Sequence, residues 1–223
     1  MSTGNILEEI IPRHILEKLT VVELKKKVVF IPLEEQKDIE LYYILEGKVS
    51  CFTVDFNGRE FLVDSLGPGE FIGKFSQMRN MNFNCGVRTA TDCKLLRLTP
   101  CKKELLSDKN FSLYFYLKTS DRVYEMYKLA MLRMLFPSNE VLAYWLLKLA
   151  KDGTNIEEKA ESICLQTNIS KRQFFYCIKN FCDEGLIEKS GKQINILDKD
   201  GLKDIAGNVY LFMNENKKED PVC

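Results

Sequence analysis

The chain divides by the period at which its apolar positions recur. Near the start, Ile6, Ile10, Ile11, Ile15, Leu16 and Leu19 follow helical spacing, and Pro12 interrupts them. That pattern fits two short helices or turns. From Glu23 to Leu98 the texture changes. Runs of β-branched and aromatic residues at 28–32, 41–56, 59–66 and 93–98 are punctuated by Gly47, Gly58, Gly67, Gly69 and Gly73, which predicts the short antiparallel strands of a sandwich or barrel. Asn57-Gly58, between "CFTVDF" and "REFLVDSL", predicts a hairpin with a type I′ turn, for which both residues need positive φ. Past residue 110 the period lengthens. Leu113, Leu117, Ser120, Tyr124, Tyr127, Met131 and Met134 alternate in steps of four and three, a heptad seam. A helix packed only on its own barrel needs fewer steps in register, so the seam predicts a coiled-coil dimer helix. Pro137 ends it, Ser138 or Asn139 can cap the next helix, and "EVLAYWLLKLA" carries that helix toward Asp152-Gly153. The last third reads as two helices joined at Thr167-Asn168-Ile169, then strand, turn and strand around Gly191. This is the order of a winged helix-turn-helix. The tail "NENKKEDPVC" is polar and expected to fray.

The expected fold class is therefore α+β: an N-terminal antiparallel β-roll, jelly-roll-like, over 1–110, a long dimerisation helix over 111–136, and a C-terminal winged helix-turn-helix domain over 137–223. A chain of 223 residues and 25.9 kDa suits such a division. Lys and Arg total 32 and so do Asp and Glu, giving a net charge of zero. Any nucleic-acid contact must then come from a local patch. The sole histidine, His14, is too little for the histidine-ligated metal sites of cupin-type enzymes. Eight cysteines could suggest a disulfide framework. No secretory leader precedes them, however, and no stretch nears the roughly 18 apolar residues of a membrane span. The expectation is a cytoplasmic chain with reduced thiols and no membrane partner.

This order of parts resembles the CRP/FNR transcription regulators. The residues that carry the likeness are 42–75 ("YYILEGKVSCFTVDFNGREFLVDSLGPGEFIGKF"), 87–98 ("VRTATDCKLLRL"), 146–153 ("LLKLAKDG") and 169–197 ("ISKRQFFYCIKNFCDEGLIEKSGKQINIL"). The Leu45-Gly47-Val49 step and the "LGPGEFIG" loop are specific when found together. The resemblance implies a bacterial homodimer, paired through 111–135, that binds double-stranded DNA at two half-sites one helical turn apart, with RNA polymerase as a further partner and no enzymatic activity.

With the turn at 167–169, Ser170 falls at the N-cap of the recognition helix, and Lys171, Arg172 and Gln173 fill its first turn. A helix N-terminus offers free N–H groups to a phosphate. The resemblance places base reading at Lys171, Arg172 and Tyr176. Arg172 can fork onto guanine O6 and N7, and Gln173 can serve adenine. Phe174, Ile178 and Phe181 share the opposite stripe and are expected in the core, while Phe175 faces the sugar backbone or a thymine methyl. Lys179, Lys189 and Lys192 complete the expected DNA set. Over 168–192 five cations meet three anions, a local charge of +2. Family members that bind cyclic nucleotides use a Gly-Glu pair for the ribose and an Arg-Ser pair for the phosphate. Here the acid position is Lys74, the Arg-Ser positions fall at Phe83-Asn84, and the long-helix positions that meet the base hold Met126-Tyr127. Lysine cannot accept from a ribose hydroxyl and phenylalanine cannot neutralise a phosphate, which disfavours cyclic AMP. The candidate effector pocket is Gly73, Lys74, Phe75, Arg88, Thr89 and Tyr127, where Lys74 and Arg88 suit an acidic molecule but would equally serve structural ion pairs. Haem is disfavoured because His14 lies outside the roll. The iron–sulfur cluster of the oxygen-sensing branch is disfavoured because no cysteine precedes Cys51.

Two alternatives stand beside this reading. One is a redox- or metal-responsive regulator using the roll cysteines Cys51, Cys85, Cys93 and Cys101. The more ordinary role for these, as for Cys164, Cys177 and Cys182, is that of small reduced packing residues. The other is a cupin-like enzyme, which lacks metal histidines, a Ser-His or Cys-His pair and a phosphate-cradling loop.

Overall fold

The computed structural model describes residues 3–33, 40–58, 60–79, 85–150 and 153–215. The chain forms two compact units, Met1–Tyr124 and Glu125–Cys223.

The first unit opens with α1 (Thr3–Ile10) and α2 (Arg13–Leu16), separated at Pro12. Strands β1 (Thr20–Leu24), β2 (Val29–Ile31), β3 (Tyr42–Glu46), β4 (Val49–Val54), β5 (Glu60–Leu66), β6 (Phe71–Ile72), β7 (Gly86–Thr89) and β8 (Cys93–Arg97) follow, with α3 (Lys74–Arg79) after β6. They form two four-stranded sheets, ordered β1-β8-β3-β6 and β2-β7-β4-β5, with antiparallel pairing throughout. This is the expected antiparallel roll. Ile44, Val49, Leu66, Ile72, Val87, Cys93 and Leu95 are buried in one core cluster.

Two glycines are required by close approach. Gly47 has φ +88° and a Cβ there would lie 2.2 Å from the Asp92 carbonyl oxygen; Gly73 has φ +86° and its Cβ would lie 2.0 Å from the Glu40 carbonyl oxygen. The hairpin expected at Asn57-Gly58 forms, but its turn differs. The strands pair from Val54 with Glu60, so the loop holds five residues rather than two. Gly58 is left-handed at φ +75°, whereas Asn57 is not among the positive-φ residues. Asp55 explains the change. Its side chain accepts from the Asn57 N–H at 2.9 Å, and its carbonyl accepts from the Gly58 N–H at 3.0 Å. An aspartate at the start of a turn favours this Asx geometry over type I′.

After a 3₁₀ turn (Thr99–Cys101) and α4 (Lys102–Ser107), α5 runs from Lys109 to Leu135. Asp108 starts it by accepting from the Asn110 and Phe111 N–H groups at 3.0 and 2.9 Å. Phe111 and Phe115 are buried with Tyr43, Leu41, Phe71 and Leu96 in a second core cluster of this unit. The Phe71 ring sits edge-on to Tyr43 at 5.0 Å, Phe111 at 5.8 Å and Phe115 at 5.0 Å. Along the other side of α5 the heptad residues Leu113, Leu117, Tyr124, Tyr127 and Met134 are exposed in the single chain.

The second unit contains α6 (Ser138–Ala150), β9 (Asn155–Ile156), α7 (Ala160–Thr167), α8 (Lys171–Asp183), β10 (Ile187–Ser190), β11 (Gln193–Ile196) and α9 (Lys199–Glu215). The strands form one sheet ordered β10-β11-β9. Its core joins Leu142, Leu146, Ile163, Phe174, Ile178 and Phe181 with Leu132 at the end of α5. Neither β9 nor α9 was expected. Asp198 caps α9, accepting from the Asp200 and Gly201 N–H groups at 3.1 and 2.9 Å, and Leu202, Ala206, Val209 and Met213 bury one face. Phe83-Asn84 and most of the tail lie outside the described residues.

Truncating Phe71 to Ala removes the ring on which Tyr43, Phe111, Tyr114 and Phe115 close. It is expected to lower unfolding stability by about 3–5 kcal/mol, read as a fall in urea midpoint with an unchanged slope.

Candidate nucleic-acid interface and sensor positions

In the second unit, α7 and α8 are joined by a turn in which Asn168 is left-handed at φ 53°. Asparagine tolerates that conformation better than most non-glycine residues. The Arg133 guanidinium donates to Asn168 Oδ1 at 3.2 Å, which ties the turn to the end of α5. Trp145 Nε1 donates to Gln166 Oε1 at 2.8 Å, and Gln166 Nε2 donates to Ser162 Oγ at 3.0 Å, so α7 is held along its length.

Ser170 is the N-cap of α8, with its Oγ accepting from the Gln173 N–H at 3.2 Å. Phe174, Ile178 and Phe181 are buried, as their stripe predicts, together with Cys177. Burying one stripe turns the opposite one outward. Lys171, Arg172, Gln173, Tyr176 and Lys179 are all exposed, as is Phe175. The expected first-turn residues are thus all exposed to solvent, with Arg172 and Tyr176 directly opposite the buried stripe. Lys171 is not idle there: its Nζ pairs with Glu161 at 2.9 Å. The hydrogen bond to Glu161 raises the lysine and lowers the carboxylate. Both groups are more than half exposed, and ion pairs so open to water hold only weakly.

Lys189 and Lys192 lie in the wing, where Lys189 donates to the Gly191 carbonyl across the β10–β11 turn. A cleft of about 560 Å³ opens between the wing, the start of α7 and α8, lined among others by Lys159, Glu161, Phe175, Lys189 and Lys192. Lys159 was missed in the sequence because it belongs to neither the recognition helix nor the wing. Only the fold sets it beside them.

The sensor candidates scatter more. Gly73 is held by its close approach to Glu40. Lys74 is 4% exposed. Its Nζ lies 3.9 Å from Glu70 and 5.7 Å from the Phe75 ring centre, and burial pushes the amine below its usual range against the pull of Glu70. Arg88 forms a two-armed pair with Glu60, one arm at 2.9 Å, and stacks over Phe52 at 4.9 Å. The Thr89 hydroxyl is taken by backbone, donating to the Lys25 carbonyl at 2.6 Å and accepting from the Val28 N–H at 2.9 Å. Tyr127 belongs to the second unit and is exposed. Gly73, Lys74 and Phe75 therefore stand together where β6 meets α3, whereas the cation and hydroxyl of β7 already have protein partners. His14 is exposed in α2.

The roll cysteines separate into two kinds. Cys93 and Cys101 are buried, and Cys93 Sγ donates toward the Lys48 carbonyl of the β3–β4 turn at 3.2 Å and the Thr91 carbonyl at 3.3 Å. Cys51 and Cys85 instead form a hydrogen-bonded thiol pair. Among the described residues no group of three or more His, Cys, Asp or Glu is placed to hold a metal, and no helix is long and apolar enough to cross a membrane.

Residues 21–102 match the cyclic nucleotide-binding domain family. The regulatory protein YeiL of Escherichia coli O157:H7 is 26% identical over 191 residues, covering 84% of this chain and 85% of that protein. Among solved structures, a CRP/FNR-family transcriptional regulator from Thermus thermophilus superposes with a TM-score of 0.66 at 21% identity, covering 84% of this chain and 98% of that one. The c-di-GMP-responsive global regulator CLP of Xanthomonas campestris gives a TM-score of 0.66 at 17% identity, covering 83% and 99%.

The Ser170 cap gives a direct check on the α8 start. Ser170→Ala is expected to lower stability by about 1 kcal/mol, whereas Ser170→Asp, which can still cap, leaves the thermal midpoint close to that of the parent.

Proposed function

We propose that this chain, a CRP/FNR-type transcription regulator by its fold and its cyclic nucleotide-binding domain, is a homodimer that reads a two-fold-related site in double-stranded DNA. The observation that carries this reading is the outward first turn of α8: Ser170 caps the helix, and Arg172, Gln173 and Tyr176 share its exposed side while Phe174, Ile178 and Phe181 anchor the other. Arg172 supplies the planar fork for guanine, and Gln173 the paired donor and acceptor for adenine. Lys171 exchanges Glu161 for DNA. Lys179, Lys189 and Lys192 act on phosphates, positioning the helix without reading sequence. A neutral chain makes this patch, rather than the overall field, the source of affinity.

Self-association is supported by the exposed heptad residues of α5. Leu113, Leu117, Tyr124, Tyr127 and Met134 form an apolar row too regular for a solvated face. Two copies joined along it present two recognition helices, and half-sites about 34 Å apart follow. The departure at Lys74 supports a roll that does not take cyclic AMP: that cation is buried beside Glu70, and the Arg88 guanidinium is engaged by Glu60.

Site selection from random duplexes, followed by salt titration, tests the DNA reading; failure to enrich any symmetric site would count against it. Arg172→Ala is expected to weaken the selected site by about 1–3 kcal/mol and to relax preference at one position in each half-site. Lys192→Ala is expected to weaken all sequences alike and to reduce the salt slope by about 1 per chain. Introducing glutamate at both Leu117 and Tyr124 places charge on the seam. Sedimentation should then show monomers, with site affinity falling in parallel; a dimer that persists would refute the α5 interface.

A further inference from the structure

The two sheet positions that bring Cys51 and Cys85 together also provide what thiol chemistry needs. Cys51 lies in β4, opposite Val87 of β7, and Phe52 lies opposite Gly86. Cys85 is one step beyond that ladder, so the two cysteines project from the same sheet face as diagonal neighbours. Cys51 donates its S–H to the Cys85 sulfur, and the Phe52 backbone N–H donates to the same atom. When protonated, Cys85 reaches the Gly86 carbonyl oxygen at 3.6 Å. The buried Lys74 amine and the Arg122 guanidinium both act on Cys51 electrostatically, the latter while bound to Asp64. None of this surrounds Cys93, whose thiol is taken up by the Lys48 and Thr91 carbonyl oxygens.

We infer that Cys51 and Cys85 form a peroxide-oxidisable dithiol, a modification site in the roll that closes to a disulfide within one chain. This inference stands whether or not the chain reads DNA. The hydrogen bonds from Cys51 and Phe52 hold Cys85 below the usual thiol range, while donating its proton pushes Cys51 up, and burial adds to that rise. The roles follow from this. Cys85, the more readily ionised thiol, attacks one oxygen of a hydroperoxide; the O–O bond breaks, Cys85 becomes a sulfenic acid, and the leaving oxygen departs as hydroxide. Cys51 sulfur then attacks the Cys85 sulfur. The S–O bond breaks, and the hydroxyl leaves as water with the Cys51 proton. The proton first lost by Cys85 neutralises the hydroxide. Two electrons pass from the thiols to the peroxide, which ends as two waters when it is hydrogen peroxide. Diagonal neighbours sit about 7–8 Å apart at Cα and a disulfide needs roughly 4.4–6.8 Å, so closure draws in residue 85 at the free end of the ladder rather than the paired part of β7.

The test uses the full reduced chain, treated with hydrogen peroxide, alkylated and mapped by mass spectrometry. The expected product is a Cys51–Cys85 linked peptide that dithiothreitol returns to two alkylated peptides. Cys51→Ser should let a dimedone-trapped sulfenic acid accumulate at Cys85. Cys85→Ser should slow oxidation of Cys51 at least about tenfold. Overturning results are full alkylation of both cysteines after peroxide, a link through Cys93 or Cys101, or a disulfide between chains on a non-reducing gel. Wild-type mapping requires no variant to fold, and it is read independently of any DNA assay.

Discussion

The packing of Phe71 is the constraint on which the first unit turns. β6 is only two residues long, and its pairing with β3 covers only Tyr42 and Tyr43. What holds this strand is its side chain, buried among Tyr43, Phe111 and Phe115. The contact joins three parts of the sequence: the second sheet-forming run, the glycine-bounded loop, and the first turns of α5. Edge-to-face aromatic geometry adds about 0.5–1.5 kcal/mol per pair beyond burial, and the Tyr43 hydroxyl lies 3.2 Å from that of Tyr114 on the same helix. The placement of Gly73 and Lys74, immediately after β6, is inherited from this anchor. So is the start of the helix whose other end supplies Leu132 to the second core.

The second unit solves a related problem by amphipathicity. α8 contains three aromatic residues within its first six positions, and only Phe174 among them is buried. The helix period decides the rest: with Phe174, Ile178 and Phe181 inward, Phe175 and Tyr176 must turn outward with the cations. Two exposed aromatic rings cost solvation in the free chain. Their position beside Arg172 and Lys192 places flat apolar surface next to positive charge, a combination suited to sugar and thymine methyl contacts on a polyanion.

The architecture was legible because its signals are periodic. Helix-period, strand-period and heptad runs survive in sequence, and Ser170 at the cap and the α8 core stripe could be read directly. What was not legible depends on distance or competition. Asp55 overrides Asn57-Gly58 at the turn through a side-chain hydrogen bond that no dipeptide rule includes. Helix α9 was hidden by Gly201 and Gly207, although Leu202, Ala206, Val209 and Met213 carry a helical spacing that a scan past residue 197 would have found. The Lys171–Glu161 pair and the place of Lys159 beside the wing require α7 and α8 to be folded together. The cysteines show the limit most clearly. In sequence the four roll cysteines stand as one set, whereas sheet register, with Cys51 opposite Val87, places Cys85 diagonal to Cys51 on the same face.

Register also explains why the roll's cations differ in what they can do. Arg88 and Cys51 come from neighbouring strands, but Arg88 pairs with Ser50, so alternation sends it to the opposite sheet face. There it is neutralised by Glu60 and half-covered by Phe52. Lys74 acts on the Cys51 side, and its carboxylate partner is distant enough, at 3.9 Å, that burial governs the amine. A buried amine with a weak pair is favoured by any anion formed next to it, because Coulomb attraction is least screened where water is excluded. On this sheet face the thiol on which that amine acts is Cys51. The lysine's pull offsets part of the rise that the Cys85 hydrogen bond and burial impose on Cys51, the thiol that gives up its proton when the disulfide closes.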